Sequence, residues 1–394
     1  MVLWLLLGAL VLAPCYWLLV PERHRRVFLV LASVAGLALL DPRLPGLVML
    51  VSISLYAGLR LILSGRLANP WRVVVPACLA LVALFAGNKL GGSGGVLPSQ
   101  GGLVWLGVSY LVLKAAAVLI DAARGSLRQA GFVDLLCWIV FLPTYTAGPI
   151  EVFDHFRDQR PRPSRRQILA GAERILFGLV KTMLLSHYLG VWLTPVLAEP
   201  ASHAPGVLWL AAYASILRFY FDFSGYSDIA IGVSAFFGIE IQENFDNPLI
   251  RRNLVQLWQR WHMTLTAWLR RYLFVPISRG ILGPGGVARD TLALVSAQLV
   301  TMTFCGLWHG LGWNFLVWGL LQAIGLLWVG RPARALGRYL PANVRAFWRE
   351  SWLGYALSAT ITFHYFALTS VLVVLDIDRA GEYAVSLLAP LLGR

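Results

Sequence analysis

Residues 311–329 read LGWNFLVWGLLQAIGLLWV, an apolar run without a charged side chain. An α-helix rises ~1.5 Å per residue, so about 18 apolar residues are enough to cross a hydrocarbon layer of ~30 Å. The run is therefore predicted to be a membrane-spanning helix. Just upstream, Cys305-Gly-Leu-Trp-His-Gly-Leu-Gly-Trp313 carries three glycines and a histidine. Glycines at membrane depth favour a helix break or close packing between helices.

The whole chain has the composition of a membrane protein. Of its 394 residues, 58% are hydrophobic and 13% are charged, whereas about 25% of an average soluble protein is charged. A soluble globule of this composition would expose larger apolar patches than water tolerates. We predict an all-α integral membrane protein with about 10 to 12 membrane helices, including re-entrant or interfacial helices. Candidate spans cover residues 2–20, 28–40, 47–63, 73–86, 103–120, 175–193, 207–237, 291–307, 311–329, 352–374 and 383–392, and residues 132–142 are expected to dip into the bilayer without crossing.

The net charge of +14 is concentrated in loops, and 30 of the 33 basic residues are arginine. Arginine-rich loops lie on the cytoplasmic side of a membrane, so the charge indicates topology and not a nucleic-acid partner. The alternation of arginine-rich and arginine-poor loops places the N-terminus outside, with residues 2–20 a retained first span and not a removed signal peptide. The loops predicted to be cytoplasmic are residues 22–26, 66–72, 124–128, 157–166, 251–271 and 331–349.

Several common site chemistries are missing from the sequence. The four cysteines stand singly on apolar stretches, which favours neither a disulfide framework nor a zinc site. The glycine-rich residues 91–95 are expected to form a loop, because no Lys-Ser/Thr follows to complete a phosphate-binding motif. No metalloprotease, Walker or serine-hydrolase motif and no carboxylate cluster occurs, so no metal ion is expected.

Ionisable residues inside membrane spans usually face a partner, a cavity or an interface. Arg218 and Asp222 are four residues apart, a spacing that favours a structural ion pair on one helix face. The lysines of the spans are expected either to reach the interface with their head groups or to line a site, and the span histidines other than His309 are expected to be packed core residues. The residues concerned are Lys114, Lys181, His187, Arg218, Asp222, Asp228 and His364.

Two histidines differ from these. His262 lies in residues 254–274, where apolar and polar side chains alternate with helical spacing, so we predict an amphipathic helix at the cytoplasmic interface with His262 at the seam between its faces. His309 stands beside the glycines of the predicted helix break. Since the ordinary pKa of histidine is near 6.5, such a residue suits proton transfer. A packed, hydrogen-bonded histidine is the alternative for His309.

At these histidines the sequence resembles the bacterial branch of the membrane-bound O-acyltransferase family, which includes the alginate O-acetyltransferase and teichoic acid D-alanyltransferase membrane proteins. About two thirds of the chain takes part. The blocks, in family order, are Gly107-Val-Ser-Tyr110 with Asp121-Ala-Ala-Arg-Gly125, Pro143-Thr-Tyr-Thr-Ala-Gly-Pro-Ile150, Gly178-Leu-Val-Lys181, Asp222-Phe-Ser-Gly-Tyr-Ser-Asp228, Asn244-Phe-Asp-Asn-Pro248, Trp258-Gln-Arg-Trp-His-Met-Thr-Leu-Thr-Ala-Trp268 and Gly306-Leu-Trp-His-Gly310.

The resemblance implies a ring of helices around a central tunnel, with His309 as the active-site histidine and His262 as a second histidine on a re-entrant helix. It implies an acyl thioester donor, either acyl-CoA or a phosphopantetheine acyl carrier protein, and no permanently bound cofactor. Where the family commonly has Arg-Asp after the second histidine, this chain has Arg270-Arg271, so an acidic partner near His262 is missing. The remaining substrate or tunnel-lining candidates are Lys181, Asp222, Asp228, Asn244, Trp261, Cys305 and Trp308.

We therefore predict an O-acyltransferase of the bacterial inner membrane, with His309 as general base. It would move an acetyl or D-alanyl group from the cytoplasm to a hydroxyl of an envelope polysaccharide or teichoic-acid-like polymer, together with an extracytoplasmic accessory transferase. Cys305 leaves a covalent acyl-enzyme open. A carrier or flippase, and a non-catalytic scaffold, are the alternatives. Residues 1–394 are predicted to form one multi-pass domain, with less typical spans in 1–100, the motif-bearing core in 103–330 and C-terminal spans in 350–394.

Overall fold

The computed structural model describes residues 2–90, 107–162, 164–282, 286–330 and 337–389. Every regular element within these ranges is helical, so the predicted all-α class is confirmed. The glycine-rich residues 91–95, the start of the predicted span 103–120 and the end of the predicted span 383–392 lie outside the described residues.

The helices follow one another along the chain with short connections. They are α1 (Val2–Leu18), α2 (Arg25–Leu40), α3 (Leu44–Leu63), α4 (Trp71–Leu90), α5 (Val108–Ala123), α6 (Phe132–Val140), α7 (Phe153–Asp158), α8 (Arg165–Leu179), α9 (His187–Ala198), α10 (Pro205–Phe236), α11 (Leu254–Trp258), α12 (Met263–Leu269), α13 (Val275–Ile281), α14 (Gly286–His309), α15 (Trp313–Val329), α16 (Ala342–Glu350), α17 (Trp352–Val374) and α18 (Ile377–Leu388).

Within the described residues, four helices are long and apolar enough to cross a membrane, judged by length and composition. They are α3, α4, residues Arg289–His309 of α14, and α17, and α17 has the predicted bounds. The shorter apolar helices are Leu5–Leu18 of α1 and all of α15. The predicted number of membrane helices and the ring stay predictions.

The helix α4 has the surface that a lipid-facing helix requires. Only 11% of its apolar window is buried inside the protein. Val75, Leu79 and Val82, three to four residues apart on one face, are each more than half exposed. In water such a stripe would be costly, because each exposed apolar side chain forgoes about 1.5–3 kcal/mol of burial. In lipid the stripe has a matching solvent, so α4 fits the membrane class.

The chain divides into two compact units. The first comprises Met1–Val180 and Phe223–Glu243. Its core lies where α2, α3, α5 and α6 pack together, around side chains such as Leu37 and Leu59 that are fully buried. The helix α6 has 9 residues and is about 14 Å long, too short to cross a bilayer, as expected for residues 132–142. The prediction of one multi-pass domain is untested and stays a prediction.

Lys114 lies in this core and does not reach the interface, contrary to the first of its two expected roles. The side chain is 1% exposed. Its Nζ donates to the carbonyl oxygen of Trp138 at 3.2 Å and to Oγ1 of Thr144 at 3.4 Å, and it lies 5.4 Å from the centroid of the Trp138 ring. These contacts hold the ammonium group inside the unit, so Lys114 is a structural residue of α5.

The second unit comprises Lys181–Asp222 and Asn244–Arg394. Its helices α14, α15 and α17 pack against one another in sequence, and α16 packs on α17. The predicted span 175–193 is interrupted, because a π-helical segment, Val180–Ser186, separates α8 from α9. Segments of this type recur at functional positions.

The predicted amphipathic helix over residues 254–274 is wrong as one continuous element. The chain forms α11, a tight turn, α12 and a π-helical segment, Arg270–Phe274. His262 causes the break, because its φ of +43° and ψ of 54° lie in the left-handed region. The predicted burial pattern still holds, with Trp258, Trp261 and Trp268 buried and the polar side chains outward.

Candidate active site

His309 is the last residue of α14, and α15 begins at Trp313 after the interruption at Gly310 and Gly312. None of these residues has a positive φ. The glycines here therefore serve close approach, not unusual backbone angles. The predicted helix break beside His309 is present.

The same glycines bring α14 and α15 into backbone contact. A Cβ atom added at Gly306 would collide with the carbonyl oxygen of Phe315, and one added at Gly319 would collide with the carbonyl oxygen of Met302. Small residues at such positions allow helices to approach closely in lipid. The close approach brings Trp318 of α15 next to His309, with ring centroids 5.2 Å apart and planes at 88°.

His262 reaches the same region from the turn between α11 and α12. A left-handed backbone costs a residue with a Cβ atom about 1–2 kcal/mol, so the surrounding contacts must hold it in place. The turn directs the imidazole inward, and the residue is only 2% exposed. The strained turn is therefore what places this ring inside the unit.

Asn244 fixes the orientation and the tautomer of His262. Its Oδ1 lies 3.0 Å from Nδ1 of His262 and accepts hydrogen bonds from Oγ1 of Thr264 at 2.9 Å and from the backbone N–H of Thr264 at 3.4 Å. A backbone N–H can only donate, so the amide oxygen faces these three groups. His262 must then donate from Nδ1, and in the neutral ring Nε2 carries the lone pair. The partner missing near His262 in the sequence is this amide.

His262 is neutral at physiological pH. It lies outside the candidate spans. Burial is the larger cause and the neighbouring charge of a protonated His309 the smaller one that lower the pKa of His262 well below its ordinary value. A neutral imidazole can accept a proton, whereas a protonated one cannot.

The two histidines line one small cavity in the second unit. Its volume is about 30 Å³, the share of one water molecule in the liquid. Aromatic and apolar side chains make most of its wall, and no Lys, Arg, Asp or Glu is among the described residues that line it. The lining residues are Ser215, Ile216, Phe219, Trp261, His262, His309, Trp318, Phe366, Ser370, Val373 and Val374.

Trp308 packs edge-on against both histidines. Its ring centroid lies 6.1 Å from that of His262 and 5.0 Å from that of His309. It does not itself belong to the lining. Trp261, the other predicted tryptophan, lines the cavity and packs edge-on against Phe366 at 5.1 Å. Aromatic packing of this kind holds both imidazoles in fixed orientations.

Trp318 is a cavity residue that the sequence did not single out. It is 4% exposed, and its Nε1 is buried with no hydrogen-bond partner among the described residues. A buried indole N–H usually has an acceptor, so this donor is available to a bound molecule. Ser370 and Phe366 of α17 were missed for the same reason as Trp318, because each lies in a run that is apolar on all sides.

Polar side chains hold α11, α15 and α17 together beside the cavity. Gln322 of α15 accepts from Nε1 of Trp258 at 3.2 Å and donates to Oγ1 of Thr369 at 2.8 Å. Asn314 donates from Nδ2 to the carbonyl oxygens of Leu372 at 2.9 Å and of Leu375 at 3.1 Å. These bonds fix the helices that carry Trp318 and Phe366.

Four other predicted site residues are not among the described residues that line this cavity. Cys305 is fully buried on α14, one turn before His309. Lys181 is half-buried in the π-helical segment, and Asp222 is exposed on α10. Asp228 belongs to the first unit, where it accepts from Nε of Arg174 at 2.9 Å.

The expected ion pair between Arg218 and Asp222 does not form, since no ion pair within the described ranges joins them. The guanidinium group of Arg218 lies instead against Gly190, where an added Cβ atom would stand 3.0 Å from Cζ. His187 is exposed at the start of α9, contrary to the expected core position. A shared helix face is therefore not enough to predict a contact.

His364 is a hydrogen-bonded structural histidine, as expected. Its Nδ1 donates to the carbonyl oxygen of Thr360 at 3.0 Å, so Nε2 accepts from the hydroxyl of Tyr213 at 2.6 Å. For metals, the described part of the chain contains no group of three His, Cys, Asp or Glu residues that could hold an ion.

Comparison with known proteins places the chain in a family. A family model described as MBOAT, membrane-bound O-acyltransferase family, matches residues 53–374. A probable alginate O-acetylase of Azotobacter vinelandii is 30% identical over 323 residues, which cover 76% of this chain and 62% of that protein. Teichoic acid D-alanyltransferase of Streptococcus thermophilus is 31% identical over 238 residues, 58% of this chain and 57% of that protein.

A peptidoglycan O-acetyltransferase of Helicobacter pylori is 30% identical over 220 residues, 55% of this chain and 40% of that protein. The matched regions thus span at most 62% of these three relatives. The resemblance drawn from the motifs is confirmed, and both motif histidines lie within the matched residues. On this match the chain belongs to the membrane-bound O-acyltransferase family.

Proposed function

We propose that this protein is an O-acyltransferase of the bacterial inner membrane that transfers an acetyl or D-alanyl group to a hydroxyl of a cell-envelope polymer. The observation that carries the proposal is the cavity in which His262 and His309 meet. Two histidines 47 positions apart (309 − 262) converge there on a site without a charged wall. Such a site suits proton transfer between neutral partners.

In the proposed reaction, His309 is the general base. Its ring takes the proton of the acceptor hydroxyl while the oxygen attacks the carbonyl carbon of the thioester, forming the new C–O bond. Collapse of the tetrahedral intermediate breaks the C–S bond, and the leaving thiolate takes the proton back from His309. Proton transfer by a positioned side chain contributes about 10²- to 10⁴-fold to a rate.

His262 and Trp318 act on the acyl group in this scheme. The indole N–H of Trp318 is a donor for the carbonyl oxygen, which becomes negative in the transition state, and donors fixed in a dry site are effective there. His262 holds the donor through Nε2, since Nδ1 is engaged by Asn244. Transfer is direct in this proposal, because Cys305 lies outside the lining of the cavity.

The size of the cavity favours a short acyl group. A space of about 30 Å³ holds one water molecule, so even an acetyl group must displace side chains to enter, and a long chain would have to displace many more. The names of the three relatives refer to alginate, teichoic acid and peptidoglycan. These names support a polymer hydroxyl as acceptor.

The route of the acyl group follows from charge. A thioester donor, acyl-CoA or a phosphopantetheine carrier protein, is too polar to cross lipid, so it would bind on the cytoplasmic side. The acceptor would approach from the other side, passed on by an extracytoplasmic accessory transferase. A ring of about 10 to 12 membrane helices with an external N-terminus completes this proposal.

Transfer by the purified full-length chain in lipid nanodiscs tests the proposal. Labelled acetyl-CoA and a labelled D-alanyl carrier protein are offered separately with a short oligosaccharide acceptor, and free thiol and acylated product are measured. We expect one donor to give equal amounts of both with the wild type and none with His309→Ala. Product formed only after an extracytoplasmic protein is added would favour the scaffold. Movement of donor into sealed vesicles without acylation would favour the carrier.

A further inference from the structure

The first unit contains a second, much larger cavity. Its volume is about 1010 Å³, at the upper end of the range for small-molecule sites. It lies where the start of α2, the end of α3, the start of α6 and the chain after α7 come together. No catalytic motif of the sequence maps to it.

The wall of this cavity is strongly basic. Among the described residues that line it, seven are arginines and three are acidic, so their formal charges sum to +4 (7 − 3). Asp134 pairs with Arg26 at 3.1 Å and Asp158 pairs with Arg157 at 2.8 Å. The remaining acidic residue, Glu22, faces five other arginines.

Several of these arginines have no charge partner of their own. Arg23, Arg60 and Arg128 are exposed, and within the described ranges none of them forms an ion pair. Nε of Arg25 is buried with no hydrogen-bond partner there, while its guanidinium carbon lies 4.6 Å from the Trp17 ring centroid. The cavity thus carries positive charge that the surrounding protein leaves uncompensated.

Apolar side chains share the wall with the arginines. Val27 and Val133 line the cavity and are 41% and 42% exposed. The loops that supply Arg23 and Arg128 belong to the arginine-rich segments predicted to face the cytoplasm. A basic site with apolar walls at that level matches a ligand with an anionic head and an apolar tail.

We propose that this cavity binds the phosphate group of an anionic amphiphile, and that a phospholipid of the cytoplasmic leaflet supplies it. Guanidinium groups bind phosphate oxygens through paired N–H donors. Basic pockets between membrane helices on the cytoplasmic side bind anionic head groups. The same chemistry is present in the phosphate of phosphopantetheine, which an acyl donor would bring. This site does not depend on acyl transfer, so it can hold if the proposed function fails.

The test measures binding to the purified full-length chain by native mass spectrometry and by the shift in thermal unfolding. The ligands are phosphatidylglycerol, phosphatidylcholine and free 4′-phosphopantetheine. The cavity variant is Arg23→Gln/Arg60→Gln/Arg128→Gln. The matched control is Arg66→Gln/Arg72→Gln/Arg165→Gln, which removes the same charge from exposed arginines of the first unit that do not line the cavity.

We expect the wild type to retain phosphatidylglycerol over phosphatidylcholine. The cavity variant should bind phosphatidylglycerol about 100-fold more weakly, since each basic side chain near an anionic head group contributes about fivefold. The control variant should stay within about threefold of the wild type, because its arginines lie off the site. Binding of phosphopantetheine alone, lost in the cavity variant, would assign the phosphate site to the donor.

Equal loss of binding in the two triple variants would overturn the proposal, because it would mean that the whole basic surface attracts anions. So would a wild type that binds neither phosphate compound better than phosphatidylcholine. If the cavity variant fails to fold, the single pair Arg60→Gln and Arg66→Gln makes the same comparison. Both residues lie near the end of α3 and differ in whether they line the cavity.

Discussion

The two cavities of this protein, one in each unit, are built on opposite principles. The one that holds His262 and His309 measures about 30 Å³, and none of its described lining residues is a formal charge. The other measures about 1010 Å³, and ten charged side chains among the described residues line it. A small dry site strengthens each hydrogen bond made inside it. A large basic site attracts an anion from solution.

The difference explains the opening composition in a new way. The chain has few charged residues, yet a group of its arginines gathers around one cavity while the histidine cavity is kept free of them. Proton transfer by a neutral imidazole would suffer beside an arginine, because a positive neighbour disfavours protonation of the ring. The two cavities should therefore respond to different substitutions.

The largest expected effect comes from His309→Ala. Turnover should fall about 10²- to 10⁴-fold, since that is the contribution of a positioned proton-transfer group. Binding of phosphatidylglycerol should stay at the wild-type level, because the substitution leaves the arginine cavity of the first unit unchanged. His187→Ala, which alters an exposed histidine, serves as the control. Near-normal turnover of His309→Ala would remove the residue from the proposed mechanism.

Gly319→Ala tests the packing that forms the small cavity. The added methyl group would collide with the carbonyl oxygen of Met302, and overpacking of this kind costs about 1–3 kcal/mol. We expect a lower temperature of unfolding in detergent and lower turnover. Gly280→Ala is the matched control, because nothing lies within 4 Å of its Cβ position in α13. Equal stability of the two variants would show that α14 and α15 need no close approach.

His262→Ala should have a milder effect on turnover than His309→Ala. We expect a loss of about tenfold, or ~1.4 kcal/mol, seen in the Michaelis constant of the donor as well as in the rate. His262→Asn separates the ring from the backbone, because asparagine tolerates the left-handed conformation. It should unfold at a higher temperature than the alanine variant while losing as much activity. Wild-type donor affinity and turnover in both variants would remove His262 from the site.

The sequence predicts the two histidines of the site correctly because each stands in a pattern with a physical meaning. Three glycines mark the break beside His309, and the spacing of tryptophans around His262 marks a buried face. The bounds of α17 are predicted for a similar reason, since its apolar run is uninterrupted. Patterns within a single helix can be found in the sequence.

Contacts between separate elements cannot be found in this way. Asn244 orients His262 from 18 positions away, and only the turn between α11 and α12 brings the two together. Trp318 lies in a run that is apolar all round, so helical spacing gives no face to it. A single left-handed residue also ends the amphipathic helix predicted for residues 254–274, and the helical period of its side chains hides the break.

The smallest expected effect is a dependence of stability on pH that comes from His262. Burial lowers the pKa of His262 in the folded protein, whereas the unfolded chain keeps the ordinary value of about 6.5. As the pH falls below that value, the unfolded chain takes up a proton that the folded chain does not, so stability is complete above it and is lost below it. Between about pH 7.5 and pH 5.5, the unfolding temperature of the wild type should fall more steeply than that of His262→Asn. His309 is present in both proteins, so the difference between the two slopes reports His262 alone. Equal slopes would mean that the ring of His262 takes up a proton as readily in the folded protein as in water, and the small cavity would then lose the dryness that distinguishes it from the arginine cavity.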